Sequence, residues 1–322
     1  MTVVPRQGVA LLLACGLANA SVAATPDNAS PREWLQRMSR AVQTTDYEGT
    51  VIRISDGRAE ALKVAHSVED GVVREKLIAQ EGNGLEIVRV GKEVHCILPE
   101  RRSVLVENWT EKSTLFSTLP GSDPQIGSEY DLRIVSEDRI AGRKAVELAI
   151  KPHDEYRYEH RIWLDQATGF PLQTELVASD GSAVDQVKFA DIRFGREIDE
   201  KDLAPSYSTD NFKWYAPPAR SVTPVVASEW ENDDLPAGFE LVSAQRESLP
   251  AAGREVMHLL YSDGLASVSV FIAENAGEPV AERSTQGASN TYSLLADDVR
   301  ITAVGEVPAV TVERIARGMQ RQ

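Results

Sequence analysis

Residues 156–189 decide the fold class of this chain; they read Y-R-Y-E-H-R-I-W-L-D-Q-A-T-G-F-P-L-Q-T-E-L-V-A-S-D-G-S-A-V-D-Q-V-K-F. Three runs with apolar, β-branched and aromatic side chains are joined by two short turns, at 165–169 and 178–181. Turns this short join antiparallel neighbours, because a parallel pair needs a crossover of about a dozen residues or more. The stretch therefore predicts three consecutive strands of an antiparallel sheet.

The same pattern of short strands and glycine-containing turns extends over residues 47–194. Turns such as Asp56-Gly57 recur at regular intervals, which is typical of a large antiparallel sheet. Residues 108–119 interrupt the pattern and are interpreted as a helix or an irregular segment between strands. The sequence thus predicts an α+β domain in which one large curved antiparallel sheet carries one or two helices.

Residues 30–42, S-P-R-E-W-L-Q-R-M-S-R-A-V, predict a helix laid on this sheet. Ser30 is a good N-cap, Pro31 occupies the first helical position, and Glu33 completes a capping box. The apolar residues follow helical spacing and form one stripe that must lie against an apolar surface: Trp34, Leu35, Met38, Ala41 and Val42.

The length of 322 residues favours two domains. We interpret residues 1–24 as a secretory signal peptide and residues 25–203 as the N-terminal domain. Four prolines within residues 204–229 indicate an extended linker. Residues 230–322 predict a smaller C-terminal domain, an antiparallel sheet covered by a last helix with one apolar face: Val312, Ile315, Ala316 and Met319.

The leader has the three parts of a signal peptide: a positive charge at Arg6, an apolar run at 9–17, and small residues that suit cleavage after Ala20 or Ala24. The apolar run is too short to span a bilayer, which needs about 20 residues. We therefore expect an exported chain.

The two cysteines have different fates in this interpretation. Cys15 ends the sequence L-L-A-C, which resembles a lipoprotein box, but we interpret it as part of the discarded leader and do not expect lipid anchoring. Cys96 then remains alone, so the exported chain has no intramolecular disulfide and depends on its hydrophobic cores.

Charge and motifs exclude several classes of function. A net charge of −15 argues against nucleic acid, whose binding depends on Lys and Arg. No G-x-S-x-G, P-loop or dinucleotide-binding motif occurs. His153, Asp154, Glu155 and His160 cluster, but their spacing is not typical of a zinc site. We expect neither metal nor cofactor, and predict a binding protein rather than an enzyme.

Residues 261–272, Y-S-D-G-L-A-S-V-S-V-F-I, predict a hairpin with a two-residue type I′ turn at Asp263-Gly264. In this register Leu259 faces Val268, and one face of the hairpin is wholly apolar. We predict partner contacts on the opposite, mixed face, formed by His258, Leu260, Ser267, Ser269 and Phe271. The alternative is that this face is merely half-solvated.

Aromatic side chains suggest a second kind of site. A large curved sheet crossed by helices often leaves an apolar cavity between its layers. We predict that such a cavity is lined by Trp34, Met38, Trp109, Phe116 and Trp163. The alternative is that these residues simply fill the core.

Seven stretches spread over the chain resemble the MucB/RseB family: Y-E-G-T (47–50), V-H-C-I-L-P (94–99), R-I-A-G-R-K-A (139–145), P-H-D-E-Y-R-Y-E-H-R-I-W-L-D-Q-A-T-G (152–169), W-x-x-x-x-L-P-x-G-F (230–239), the hairpin 261–272 and V-G-E-V-P (304–308). The resemblance implies an N-terminal domain similar to the lipoprotein carriers LolA and LolB, an incomplete barrel plugged by helices, followed by a linker and a smaller domain.

The resemblance also implies a function. Members of this family are periplasmic negative regulators that bind the periplasmic region of a membrane-spanning anti-sigma factor and shield it from proteolysis. Lipid or lipopolysaccharide signals are thought to loosen that complex. An alternative reading is a periplasmic carrier of lipids or lipoproteins, although a pure carrier does not need residues 230–322. The sequence leaves open whether the chain forms a homo-oligomer.

Overall fold

The computed structural model describes residues 29–108, 115–116, 119, 126–195, 197–216, 222–225, 228–249, 254–274, 282–296 and 298–322. The predicted signal peptide, with Cys15 and both cleavage positions, lies outside these residues, and so does Trp109. The described chain forms two domains, each with its own main sheet and its own hydrophobic core.

The N-terminal domain begins with helix α1 (Pro31–Thr44) and is built on a twelve-stranded sheet. Its strands are β1 (Tyr47–Ser55), β2 (Arg58–Glu69), β3 (Val72–Ala79), β4 (Glu86–Val90), β5 (Glu93–Leu98), β6 (Ser103–Asn108), β7 (Tyr130–Ile140), β8 (Arg143–Pro152), β9 (Glu159–Asp165), β10 (Pro171–Val177), β11 (Ala183–Phe194) and β12 (Lys213–Tyr215). A 3-10 turn, Pro99–Arg101, links β5 to β6.

Two meanders make up this sheet, in the order β12-β6-β5-β4-β3-β2-β1-β11-β10-β9-β8-β7. They join where β1 pairs with β11, with Tyr47 opposite Phe194. The strands approach so closely there that a Cβ atom at position 49 would lie 2.3 Å from the Asp191 carbonyl oxygen, so the position requires Gly49. β7 and β12 lie at the two edges, so the sheet is an unclosed barrel, which confirms the predicted fold class.

Helix α1 is capped as predicted. The Ser30 hydroxyl accepts from the Glu33 N–H at 3.3 Å, and the Glu33 carboxylate accepts from the Ser30 N–H at 2.6 Å. The apolar stripe of the helix meets core residues from β1–β3 and β7–β11 in one cluster. The curved sheet therefore wraps around the helix, and their contact is the core of the domain.

The first half of the predicted linker lies against the N-terminal sheet. Helix α2 (Glu200–Leu203) leads into a segment held by Lys76, whose Nζ donates to the Ala204 carbonyl at 2.6 Å. The Ser206 N–H donates to Glu86 at 2.9 Å. Strand β12 then pairs in parallel with β6.

The C-terminal domain contains a seven-stranded sheet, a two-stranded ribbon and one helix. The elements are β13 (Val222–Pro224), β14 (Trp230–Asn232), β15 (Glu240–Leu249), β16 (Arg254–Ser262), β17 (Ser267–Glu274), β18 (Glu282–Gln286), β19 (Ser289–Ala296), β20 (Val299–Gly305), α3 (Ala309–Arg317) and β21 (Met319–Arg321). The sheet has the order β13-β15-β16-β17-β20-β19-β18, and the ribbon pairs β14 with β21.

Helix α3 covers the apolar face of this sheet through Val312, Ile315 and Ala316, as predicted. Met319 is buried in the same core, but the helix ends before it and Met319 belongs to β21. The Nδ2 of Asn232 donates to the Ile315 carbonyl at 2.7 Å. A continuing helix would use that carbonyl for the N–H of residue 319, so the Asn232 contact supports the end of the helix.

The hairpin of β16 and β17 differs from its prediction in register. Ser262 pairs with Ser267 and Leu259 with Val270, so residues 263–266 form a four-residue loop instead of a two-residue turn. The cause is the Asp263 carboxylate, whose Oδ1 accepts from the N–H groups of residues 265 and 266 at 2.9 and 2.7 Å. Because the shift is two residues, each side chain keeps its predicted face.

Candidate functional site

The predicted partner-contact residues do share one face of the C-terminal sheet. We call this surface the mixed face, and it comprises His258, Leu260, Ser267, Ser269 and Phe271. It lies opposite the face that α3 covers, because the alternate residues of both strands belong to the domain core. Ser267 is exposed and the other four are half-buried, so the mixed face is accessible without being flat or fully solvated.

His258 is the centre of the mixed face. Its ring stacks on Phe271 with 4.4 Å between centroids and an angle of 17°. Its Nε2 lies 3.0 Å from the Ser269 hydroxyl, and its Nδ1 lies 2.7 Å from Oε1 of Glu247. The imidazole is therefore fixed on both sides, and the Phe271 ring beside it is held in one orientation.

Neighbouring strands extend the mixed face. On β15, Gln245 lies opposite His258 and donates to Glu247 at 2.8 Å. On the other side, Thr302 lies opposite Phe271 and bonds to Ser293 at 2.8 Å. Sequence reasoning missed the contribution of β15, because E-L-V-S-A-Q-R-E-S-L has few apolar residues and weak alternation. The result is a band of hydrogen-bonding groups beside one aromatic ring.

The loop of the same hairpin makes a buried contact with the N-terminal domain. We call this contact the interdomain joint; it comprises Tyr130, Asp154, Arg157, Ala237, Phe239 and Asp263. The Arg157 guanidinium donates to the carboxylates of Asp154 and Asp263 and to the Ala237 carbonyl. Its central carbon lies 5.5 Å from the Tyr130 ring centroid and 4.9 Å from that of Phe239. Each of the three guanidinium nitrogens thus donates to a fixed partner.

Burial makes this joint energetically important. The side chains of Arg157 and Asp263 are each 1% exposed. Burial disfavours the charged guanidinium, but the hydrogen bond and charge of Asp263 outweigh it, so the pKa of Arg157 is raised. Burial and the Asp263 charge both raise the pKa of Tyr130, whose hydroxyl donates to Asp263 at 2.7 Å. Removing one partner of such a buried pair typically costs about 3–5 kcal/mol.

Other contacts surround the joint. Asn290 donates to the Tyr158 hydroxyl at 3.0 Å, and the Thr311 hydroxyl donates to the Tyr156 carbonyl at 2.7 Å. Leu265, in the hairpin loop, packs against the N-terminal core. Ala288 of the C-terminal domain also clusters with Tyr158 and Leu176. The domains therefore meet through both polar bonds and apolar packing.

A cavity of about 590 Å³ lies between the β1–β2 turn and the β18–β19 turn. The Gly287 N–H donates to Asp56 at 2.8 Å across this gap, and Arg53 pairs with Asp185 at 3.2 Å. Burial, reinforced by Asp185 and opposed by Arg53, raises the pKa of Glu306. The lining carries both signs of charge and few apolar groups, so it does not match the predicted apolar cavity.

The residues predicted to line that apolar cavity lie in the N-terminal core. Trp34, Met38, Phe116 and Trp163 are each at most 7% exposed and belong to one cluster. Phe116 contacts Phe170, with 5.6 Å between ring centroids. The structure places these four in one buried cluster, and a ligand cavity lined by them stays a prediction.

The remaining candidates have ordinary structural partners. His153 lies 3.0 Å from Asp131, and burial lowers the pKa of His160 to about 4. Cys96 is half-buried, and burial raises the pKa of its thiol. Within the described ranges, no group of three His, Cys, Asp or Glu residues is placed to hold a metal ion. No helix in that part of the chain has the length and apolar composition to cross a membrane.

Comparison with known proteins accounts for both domains. The family description "MucB/RseB N-terminal domain" matches residues 30–207, and "MucB/RseB C-terminal domain" matches residues 224–320. The sigma factor AlgU regulatory protein MucB of Pseudomonas aeruginosa is 33% identical over 312 residues, which is 95% of each chain. The sigma-E factor regulatory protein RseB of Escherichia coli K12 is 28% identical over 308 residues, or 94% of each chain.

Solved structures agree with this assignment. A MucA/MucB complex of P. aeruginosa has a MucB-like chain that is 32% identical, with a TM-score of 0.70 over 91% of this chain and 99% of that chain. A crystal structure of MucB is 31% identical, with a TM-score of 0.59 over 90% of this chain and 97% of that chain. Two family descriptions, full-length relatives and matching structures lead to one conclusion: this chain belongs to the MucB/RseB family.

Proposed function

We propose that this protein binds the periplasmic region of a transmembrane anti-sigma factor, protects it from regulated proteolysis and so restrains an envelope-stress sigma factor. The observation that carries the proposal is the match over both domains to MucB in its crystal structure in complex with MucA(peri). Relatives over nearly the whole chain are named as regulators of sigma factors, which supports the same role.

The protein acts in the periplasm in this proposal, after export through a leader that is cleaved behind Ala20 or Ala24. It acts by binding and not by catalysis. Regulatory names among the relatives support this view, as does the sequence, which contains none of the nucleophile or phosphate-binding motifs sought.

We assign partner contact to the mixed face. The opposite face of the sheet packs into the domain core against α3 and the β14–β21 ribbon, whereas His258, Ser269 and Phe271 stay half-buried and are held by hydrogen bonds and stacking. A fixed aromatic ring among satisfied polar groups is a common form of protein–protein contact, because little side-chain entropy is lost on binding. The charge of −15 adds steering toward basic segments of a partner.

The N-terminal domain is the proposed sensor of a lipid or lipopolysaccharide signal. A ligand that binds better to the partner-free protein lowers the affinity for the partner. By thermodynamic linkage, the partner lowers the affinity for the ligand by the same factor. The second candidate function is a carrier of lipids or lipoproteins. The extensively hydrogen-bonded C-terminal sheet weighs against it, since a carrier does not need this domain.

A protection assay tests the proposed function directly. The purified mature protein is added to the periplasmic segment of an anti-sigma factor from the same organism, together with the protease that makes the first cut. We expect a stable complex and slower cleavage of the segment. Cleavage at an unchanged rate in the presence of excess protein would remove the protective role. Extraction of lipid from vesicles without partner binding would favour the carrier.

A further inference from the structure

The carboxylate of Asp263 has two separate tasks. Its Oδ1 accepts from the N–H groups of Leu265 and Ala266 and so shapes the loop of the hairpin. Its Oδ2 accepts from Arg157 and from the Tyr130 hydroxyl in the other domain. One side chain therefore fixes both the conformation of the loop and its docking on the N-terminal domain.

The local sequence favours a different loop. Asp-Gly between two strands is a strong signal for a two-residue type I′ turn, which requires a positive φ at both residues. Here Gly264 has a φ of 95°, whereas the φ of Asp263 is not positive. The four-residue loop also turns Oδ2 of Asp263 toward Arg157. The contact with Arg157 thus stabilises a four-residue loop, although the local Asp-Gly sequence favours a two-residue turn.

The two strands that leave this loop carry the mixed face. Ser262 and Ser267 form the first pair, Leu260 lies opposite Ser269, and His258 lies opposite Phe271. Successive pairs in an antiparallel ladder are rigidly connected, so the pairing that begins at the loop determines which side chains meet further along. In the two-residue register, Phe271 would no longer lie opposite His258.

The contact made by Arg157 is specific for one orientation of the domains. Its donors reach Asp154 in its own domain and Ala237 and Asp263 in the other, while Phe239 packs against its face. A rotation of the C-terminal domain breaks the last three contacts together. Buried ion pairs add little net stability compared with apolar packing, and where they are retained they can specify one arrangement.

We propose that Arg157 is a positioning residue for partner binding: through Asp263 it holds the hairpin loop, and with it the pairing that arranges His258 and Phe271 on the mixed face. The proposal rests on the proposed function for the identity of the partner. It makes the buried joint and the mixed face one coupled unit, because the Arg157 side chain, which is 1% exposed, acts on the mixed face only through Asp263.

The test compares variants of the full mature chain in two measurements. One is the dissociation constant for the purified anti-sigma periplasmic segment, and the other is amide hydrogen exchange at Leu265 and Ala266. For Arg157→Met we expect about 10-fold weaker binding or more, within the usual range of allosteric coupling, and faster exchange at both amides. Tyr130→Phe, which removes one bond to Asp263, should show a smaller loss of the same kind.

Tyr158→Phe is the matched control. It removes the interdomain hydrogen bond to Asn290 without touching the hairpin loop, so binding and both exchange rates should stay within about twofold of wild type. If Arg157→Met unfolds the chain, the double variant Arg157→Met/Asp263→Asn removes both charges and retains a side-chain oxygen for the two loop amides. We expect this variant to fold and still to bind about 10-fold more weakly.

Reciprocity supplies a further check. Saturation with the partner segment should slow exchange at Leu265 and Ala266 in the wild type, because coupling acts equally in both directions. Wild-type binding with unchanged affinity in folded Arg157→Met, or in the folded double variant, would overturn the positioning role and leave the proposed function intact. Absence of binding by the wild type would instead remove the proposed function.

Discussion

The core of the N-terminal domain and the mixed face of the C-terminal domain use aromatic side chains in opposite ways. In the core, Trp34 and Phe116 are sealed between α1 and the curved sheet. On the mixed face, Phe271 is half-buried and held by stacking on His258. Aromatic residues in the core thus stabilise the fold, whereas the ring on the mixed face is partly exposed, as the proposed partner contact requires.

A core substitution should have the largest effect on stability. Trp34→Ala removes a side chain that is 1% exposed, and we expect a loss of about 3–5 kcal/mol in the free energy of unfolding, measured by urea denaturation. Trp214→Ala is the matched control, because Trp214 is 49% exposed on the edge strand β12. This substitution should lower the free energy of unfolding by about 0.5 kcal/mol. Equal losses for the two tryptophans would contradict the sealed core.

The pH dependence of stability tests His160, a half-buried histidine whose pKa is affected by the charge of Asp263. The pKa of His160 is lowered from 6.5 to about 4, first by burial and against the opposing charge of Asp263. Between these values the unfolded chain binds a proton that the folded chain does not, so stability falls as pH falls from 6.5 to 4.

Replacing this histidine should remove that part of the acid sensitivity. Between pH 7 and pH 4, we expect the free energy of unfolding to fall by about 1–3 kcal/mol less in His160→Gln than in the wild type. Urea denaturation at both pH values is the measurement. Identical pH profiles for the two proteins would show that His160 is not held neutral by the fold.

A substitution on the mixed face should have a smaller effect on stability and a clear effect on binding. Phe271→Ala removes the ring that stacks on His258, and we expect about 10-fold weaker binding of the partner segment in calorimetry. Tyr207→Ala, at an exposed aromatic of the other domain, serves as control. A dissociation constant within about twofold of wild type for Phe271→Ala would place the contact elsewhere.

Local signals in the sequence predicted much of the fold. The capping box at Ser30 and the two short turns that join β9, β10 and β11 act within a few residues, and they formed as predicted. The faces of the hairpin were also predictable, because alternation along a strand survives a shift of two residues.

The candidate site was less predictable because it depends on distant contacts. Arg157 and Asp263 are 106 residues apart, and no local sequence pattern predicts that they pair. The Asp-Gly signal was overridden, since the Asp263 carboxylate bonds to the loop and to Arg157 at once. Burial of Trp34 followed from its helical spacing, but spacing does not distinguish a filled core from a ligand cavity.

The most direct test of the account compares two equal charges placed on opposite sides of the C-terminal domain. Ser267→Arg puts a guanidinium on the exposed edge of the mixed face, and Val310→Arg puts one on α3, where the native side chain is 40% exposed. Calorimetric titration with the anti-sigma periplasmic segment should show about 10-fold weaker binding for Ser267→Arg and wild-type binding for Val310→Arg. Equal affinities for both variants, or a loss confined to Val310→Arg, would contradict the assignment of partner binding to the mixed face.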